Sequence, residues 1–62
     1  MRSKLFERRN ELGLTQEEAA KLIGIARTTY AMIEQNKRKP SIAVAKRIEK
    51  ALGVDWVSFF EE

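Results

Sequence analysis

The sequence predicts an all-α protein of five short helices, and three observations carry that prediction. Apolar residues recur at three- and four-residue intervals along most of the 62 residues. Gly13, Gly24, Pro40 and Gly53 cut this pattern into short lengths. No stretch alternates apolar and polar residues as a half-buried strand would, and there is no internal repeat or low-complexity segment. A chain of this length has room for one small hydrophobic core, so a single domain over residues 1–62 is expected.

Each element follows from its own signals. The first helix, about 3–12, carries Leu5, Arg9 and Leu12 on one stripe and stops at Gly13. Thr15 followed by Glu18 forms a capping box that opens the second helix, about 16–23, whose expected inner face is Ala19, Ala20, Leu22 and Ile23. Gly24 ends it. The third helix, about 27–35, has Tyr30 and Ile33 three apart with Met32 beside them. Asn36 to Pro40 reads as a loop, because Asn tolerates the left-handed conformation and the residue before Pro is pushed out of helical geometry. Ser41 caps the fourth helix, about 42–52, with Ile42, Ala45, Ile48 and Leu52 on the expected buried stripe and Lys46, Arg47 and Lys50 pointing away. Gly53 closes it, and Asp55 caps a last short helical turn through Phe60.

Composition narrows the function. With 44% hydrophobic and 34% charged residues the chain is a folded globular type. It contains neither Cys nor His, which removes thiol nucleophiles, imidazole bases and the usual zinc ligands together. An enzyme is therefore not expected, nor a cofactor or metal site. No apolar run approaches the roughly 18 residues of a membrane span, so a cytoplasmic protein is expected. The net charge of +3 is unevenly spread, at +3 over residues 1–10, −2 over 11–26, +5 over 27–50 and −3 over 51–62. A basic middle with acidic flanks points to a surface that faces a polyanion.

The informative stretch is 16–35. Ala20, Gly24, Tyr30 and Ile33 fall at the fifth, ninth, fifteenth and eighteenth places of this twenty-residue unit. Two helices meeting steeply through a short turn need a small residue at their closest approach, a flexible one in the turn and apolar ones where the second helix packs on the first. Ala20, then Gly24, then Tyr30 with Ile33, and Ile25 beside the turn, fill those places. The geometry leaves the outer face of the second helix free to enter a DNA major groove.

Five segments in register extend the pattern: Gly13-Leu14-Thr15-Gln16-Glu17-Glu18, Gly24-Ile25, Ile33-Glu34, Lys37-Arg38-Lys39-Pro40-Ser41 and Ala51-Leu52-Gly53-Val54. On these residues the chain resembles the phage-repressor-type helix-turn-helix domains, also called the xenobiotic response element family, which includes the phage repressors and Cro-like proteins. The resemblance implies a lambda-repressor-like domain that binds operator DNA, usually as a two-fold dimer, with the third helix as recognition helix. It implies base contacts from Arg27, Thr28, Ala31 and Met32, and phosphate contacts from Gln16, from the basic loop Lys37, Arg38 and Lys39, and from Ser41. It further implies a structural pair, Arg9 with Glu34, that orients the recognition helix.

Three residues depart from the family pattern. Ala26 stands where Ser or Thr commonly caps the recognition helix, and Asn36 stands where Gly is usual. Tyr30 replaces the usual Ile or Val; a phenol needs a partner when buried, so its ring is expected in the core and its hydroxyl at the edge, on a phosphate. Trp56 and Phe60 lie four apart at a C-terminal end too small to bury every aromatic, and are the expected dimer interface, with Val54 and Phe59 facing the core.

The expected function is a sequence-specific regulator of transcription, most simply a repressor that occupies a palindromic operator as a homodimer, nucleoid-associated when bound and without a small-molecule ligand. The alternatives are an antitoxin or phage-switch protein of the same fold whose main partner is another protein, and a helical adaptor that does not bind DNA.

Overall fold

Helices in this chain start where a side chain can stand in for the missing turn. In the computed structural model, which describes residues 3–61, α1 (Lys4–Glu11) opens with the Ser3 hydroxyl accepting from the Phe6 amide at 3.1 Å. At α2 (Gln16–Ile23) the box is reciprocal: Thr15 Oγ1 accepts from the Glu18 amide at 3.1 Å and Glu18 Oε1 accepts from the Thr15 amide at 2.8 Å. Ser41 caps α4 (Ile42–Leu52) through the Val44 amide at 3.2 Å. Only α3 (Arg27–Glu34) starts without a side-chain cap, because Ala26 has no acceptor to offer. The expected fifth helix is a single 3₁₀ turn, Trp56–Phe59, capped by Asp55 through the Val57 amide. Four residues are too few to close a second α-turn, so the described architecture is four α-helices and that turn, with no strand among the described residues.

The chain turns sharply between α2 and α3. The Ala20 carbonyl accepts from the amides of both Gly24 (2.8 Å) and Ile25 (3.0 Å), which requires the left-handed backbone at Gly24 (φ 87°). A side chain there would meet only the Arg47 guanidinium at 3.8 Å, so backbone conformation and not crowding demands the glycine. Asn36 makes the equivalent left-handed step after α3, at φ 61°.

The core is built mainly from α2, α3 and α4, with Leu5 entering from α1. Tyr30, Leu5, Ile48 and Leu52 are the largest fully buried side chains, joined by Ala19, Ala20, Ile23, Ile33 and Val54 and covered at the rim by Leu14, Ile25, Val44, Ala51 and Phe59. Burying one Leu or Ile side chain contributes about 1.5–3 kcal/mol. Arg8 adds a long-range tie, its Nε donating at 2.7 Å to the carbonyl of Leu52 at the end of α4.

Two residues expected on buried faces lie outside. Leu22 is 59% exposed and Ile42 57%, and Leu12 is exposed as well. On α2 the buried side is Ala19, Ala20 and Ile23, and Leu22 is turned away from it by the 100° step of the helix. Ile42 occupies the first turn of α4, ahead of that helix's buried residues, and Leu12 follows α1 as its C-cap.

Candidate nucleic-acid interface

The site is the outer face of α3 with the loop that follows it. At 100° per residue Arg27, Thr28, Ala31 and Met32 share one side of α3, opposite Tyr30 and Ile33. Arg27 and Thr28 are exposed, Ala31 is half-buried and Met32 is 46% exposed. The first turn of α3 holds no acidic residue, so nothing there neutralises the positive end of the helix. Lys37, Arg38 and Lys39 are exposed on the loop, and Ser41 beyond them keeps its hydroxyl proton, since as cap it only accepts.

The inner side of α3 is held by a polar network. Arg9 Nε donates to Glu34 Oε2 at 2.8 Å and Arg9 Nη2 to Glu34 Oε1 at 3.1 Å, a two-pronged pair whose side chains are only 12% and 4% exposed. Arg9 Nη1 also donates to the Leu14 carbonyl at 2.8 Å, which ties α1 and the turn before α2 to the end of α3. Gln16 Nε2 donates to Glu34 Oε1 at 3.1 Å. The structure thus brings together Arg9, Glu34 and Gln16, drawn from three helices, around one buried carboxylate.

The electrostatics match this geometry. Burial pushes the Glu34 carboxyl up, but the bond from Arg9, the nearby Tyr30 hydroxyl and the bond from Gln16 together hold it below the ordinary carboxylate range. The hydrogen bond to Glu34 raises the Arg9 guanidinium against its own desolvation. Burial, seconded by the adjacent Glu34 carboxylate, raises the Tyr30 phenol.

Tyr30 corrects one expectation. Its side chain is fully buried and its hydroxyl is inaccessible, beside the Arg9–Glu34 pair but outside hydrogen-bonding geometry, so it does not present itself to a phosphate. A side chain of Tyr length at this place ends inside the network and not at the rim.

At the C-terminal end the Trp56 and Phe60 rings meet edge to face, with centroids 6.2 Å apart and planes at 70°. Phe60 is 36% exposed, and Trp56 is half-buried beneath Lys46, whose Nζ lies 5.1 Å from the ring centroid. Val57 is exposed on the same turn.

Gln35 was missed by the reading of the sequence. It is exposed, and the same 100° step puts it between Ala31 and Thr28 on the outer face, so the helical arithmetic alone could have added it. Arg8 at the Leu52 carbonyl had no local signal, because its partner is 44 positions away.

The described residues contain no group of His, Cys, Asp and Glu able to hold a metal ion, and no helix among them is long and apolar enough to cross a membrane. The sequence model of the Helix-turn-helix family HTH_3 matches residues 5–59, from the first turn of α1 to the end of the 3₁₀ turn. The chain belongs to the helix-turn-helix family. The match takes in the α2–α3 turn at Gly24 and the whole of α3. Among relatives, the chain is 52% identical over 62 residues to an uncharacterized HTH-type transcriptional regulator YqaF of Bacillus subtilis, covering all of this chain and 82% of that protein. It is 47% identical over 53 residues to an uncharacterized HTH-type transcriptional regulator of Methanothermobacter thermautotrophicus, covering 86% of this chain and 77% of that one. The HTH-type transcriptional regulator PuuR of Escherichia coli is 36% identical over 59 residues, 95% of this chain but 32% of PuuR. No solved structure matches the chain significantly.

Proposed function

We propose that this helix-turn-helix protein is a sequence-specific, double-stranded DNA-binding regulator of transcription that acts as a repressor, occupying a palindromic operator as a homodimer. One observation supports the reading above the others: α3 is clamped from behind by Arg9, Glu34 and Gln16, while its acid-free outer face stays open to solvent. In this reading Arg27, Thr28, Ala31 and Met32 face base edges in the major groove, and Arg27 forks onto guanine O6 and N7. Gln16, Lys37, Arg38, Lys39 and Ser41 anchor phosphates, the last with the amides that open α4. Trp56, Phe60 and Val57 form the two-fold contact, which places the half-sites about one helical turn apart. The protein works by occupancy, without enzymatic activity and without a small-molecule ligand.

Selection from a pool of randomised duplexes, followed by competition binding over a salt series, tests the reading. It expects a palindromic consensus and, for about six phosphate contacts, a loss of roughly three orders of magnitude in affinity between about 50 and 200 mM salt. Absence of binding to any duplex would favour a protein-binding adaptor, and an asymmetric half-site bound by a monomer would remove the dimer.

A further inference from the structure

The buried phenol behind α3 is a polar group that the family reading leaves without a task. Tyr30 and Glu34 are four residues apart on α3, so their side chains are neighbours on the buried side of the helix. The Tyr30 hydroxyl is inaccessible and meets hydrogen-bond geometry with no group, although it lies close enough to Glu34 and Arg9 to feel both, an arrangement folded proteins avoid because it forfeits solvation without full replacement. Next to it, Glu34 Oε1 already accepts from Arg9 Nη2 and Gln16 Nε2, both at 3.1 Å, which fills that oxygen's two acceptor positions. Gln16 is the weakest-held member of the set. It is half-buried at the first position of α2, its only bond in the network is the one to Glu34, and it sits at the helix N-terminus where a phosphate would approach.

We propose that Tyr30 is a positioning residue whose hydroxyl is a reserve donor: when Gln16 turns from Glu34 to a DNA phosphate, Tyr30 donates to the vacated position on Oε1, so that this buried oxygen keeps two donors. The inference rests on the reading of Gln16 as a phosphate contact. Without the reserve, DNA binding would strip a buried carboxylate of one donor, and part of the phosphate contact would be spent against that loss. With it, the free protein carries the unsatisfied group and the complex does not, so α3 keeps its orientation while Gln16 changes partner.

The substitution Tyr30→Phe in two backgrounds reads this exchange. In the wild-type background it removes an orphan hydroxyl and raises Tm, by about 5 °C in a domain of this size. In a Gln16→Ala background the hydroxyl is already engaged with Glu34, and the same substitution lowers Tm. Gln16→Met supplies a second background of similar side-chain length should Gln16→Ala fold poorly. Affinity for a mixed-sequence duplex at low salt gives the second readout: Tyr30→Phe weakens binding about fivefold when Gln16 is present and leaves it unchanged when Gln16 is absent. A Tm change of the same sign and size in both backgrounds overturns the exchange, as does a Tyr30→Phe variant that keeps Gln16 and binds duplex as tightly as the wild type. If no variant binds any duplex, the DNA reading falls, and the Tm comparison still decides whether Tyr30 replaces Gln16 at Glu34.

Discussion

Helices α2 and α3 have the same length, eight residues each, and pack against one another, yet they are held in opposite ways. α2 is secured at its own start by side chains within four residues: Thr15 and Glu18 satisfy each other's amides, and Glu17 and Glu18 complement the positive end of the helix. α3 has no cap and no acid in its first turn, and its hold comes at the far end, from Arg9 on α1 and Gln16 on α2 meeting at Glu34. The start of α3 has no local side-chain partner, and its orientation is fixed through residues distant in sequence instead.

Arg9→Ala leaves the Glu34 carboxylate buried without its charged partner, and is expected to destabilise the domain by about 3 kcal/mol or more in denaturant titration. That is a large part of the whole stability of a small domain. The double variant Arg9→Ala/Glu34→Leu recovers much of the loss, because no charge is then stranded. A single variant as stable as the parent would mean that the network does not hold α3.

Acid reads the same network. The folded Glu34 carboxyl lies below its ordinary value, so its contribution is fully present above an unfolded carboxyl value of about 4.3 and is lost as pH falls through the lower folded value. Glu18, lowered by its bonds with Thr15, acts in the same direction. Tm is expected to fall as pH drops from about 5 to 3, with a shallower acid limb in the Arg9→Ala/Glu34→Leu variant. Equal slopes for the two proteins would place the acid sensitivity elsewhere.

Smaller effects come at the helix starts. Thr15→Ala should cost about 1 kcal/mol, read by thermal unfolding, since the Glu18 amide then loses its acceptor. Ala26→Ser should stabilise by about 0.5–1 kcal/mol, because Ala26 already has the extended backbone that a capping residue needs, with φ −68° and ψ 147°. Ala26→Asp should stabilise similarly while weakening duplex affinity, since in the proposed complex it places a negative charge at the helix end that faces DNA. If Ala26→Asp binds duplex as well as Ala26→Ser, the start of α3 does not face the phosphate backbone.

The two helices also mark how far the sequence could be read. Caps are written within three or four residues, so Thr15 with Glu18, Ser41 and Gly24 placed the ends of α2 and the start of α4 at the positions the structure has them. Burial is decided by neighbours, and there local periodicity overreached. Leu22 and Ile42 fit an apolar stripe by spacing, but Leu22 points away from the side that α2 buries and Ile42 precedes the buried part of α4. Tyr30 was legible as a core ring, whereas the depth of its hydroxyl depended on Arg9 and Glu34 converging from other turns of the chain. The outer face of α3 was legible because it is a matter of helical angle alone, and Gln35 belongs to it by the same rule.

If α3 reads bases while the loop after it holds phosphates, Arg27→Ala and Arg38→Ala must differ in kind. Binding of each variant is measured on the selected duplex, on its single-base substitutions and on random duplex, across a salt series. Arg27→Ala is expected to cost about 1–3 kcal/mol on the preferred site and to relax discrimination at one base pair. Arg38→Ala is expected to weaken all duplexes alike and to reduce the salt slope by about one. If Arg27→Ala instead scales every duplex equally while Arg38→Ala changes base preference, α3 does not lie in the major groove and the basic loop is the reader.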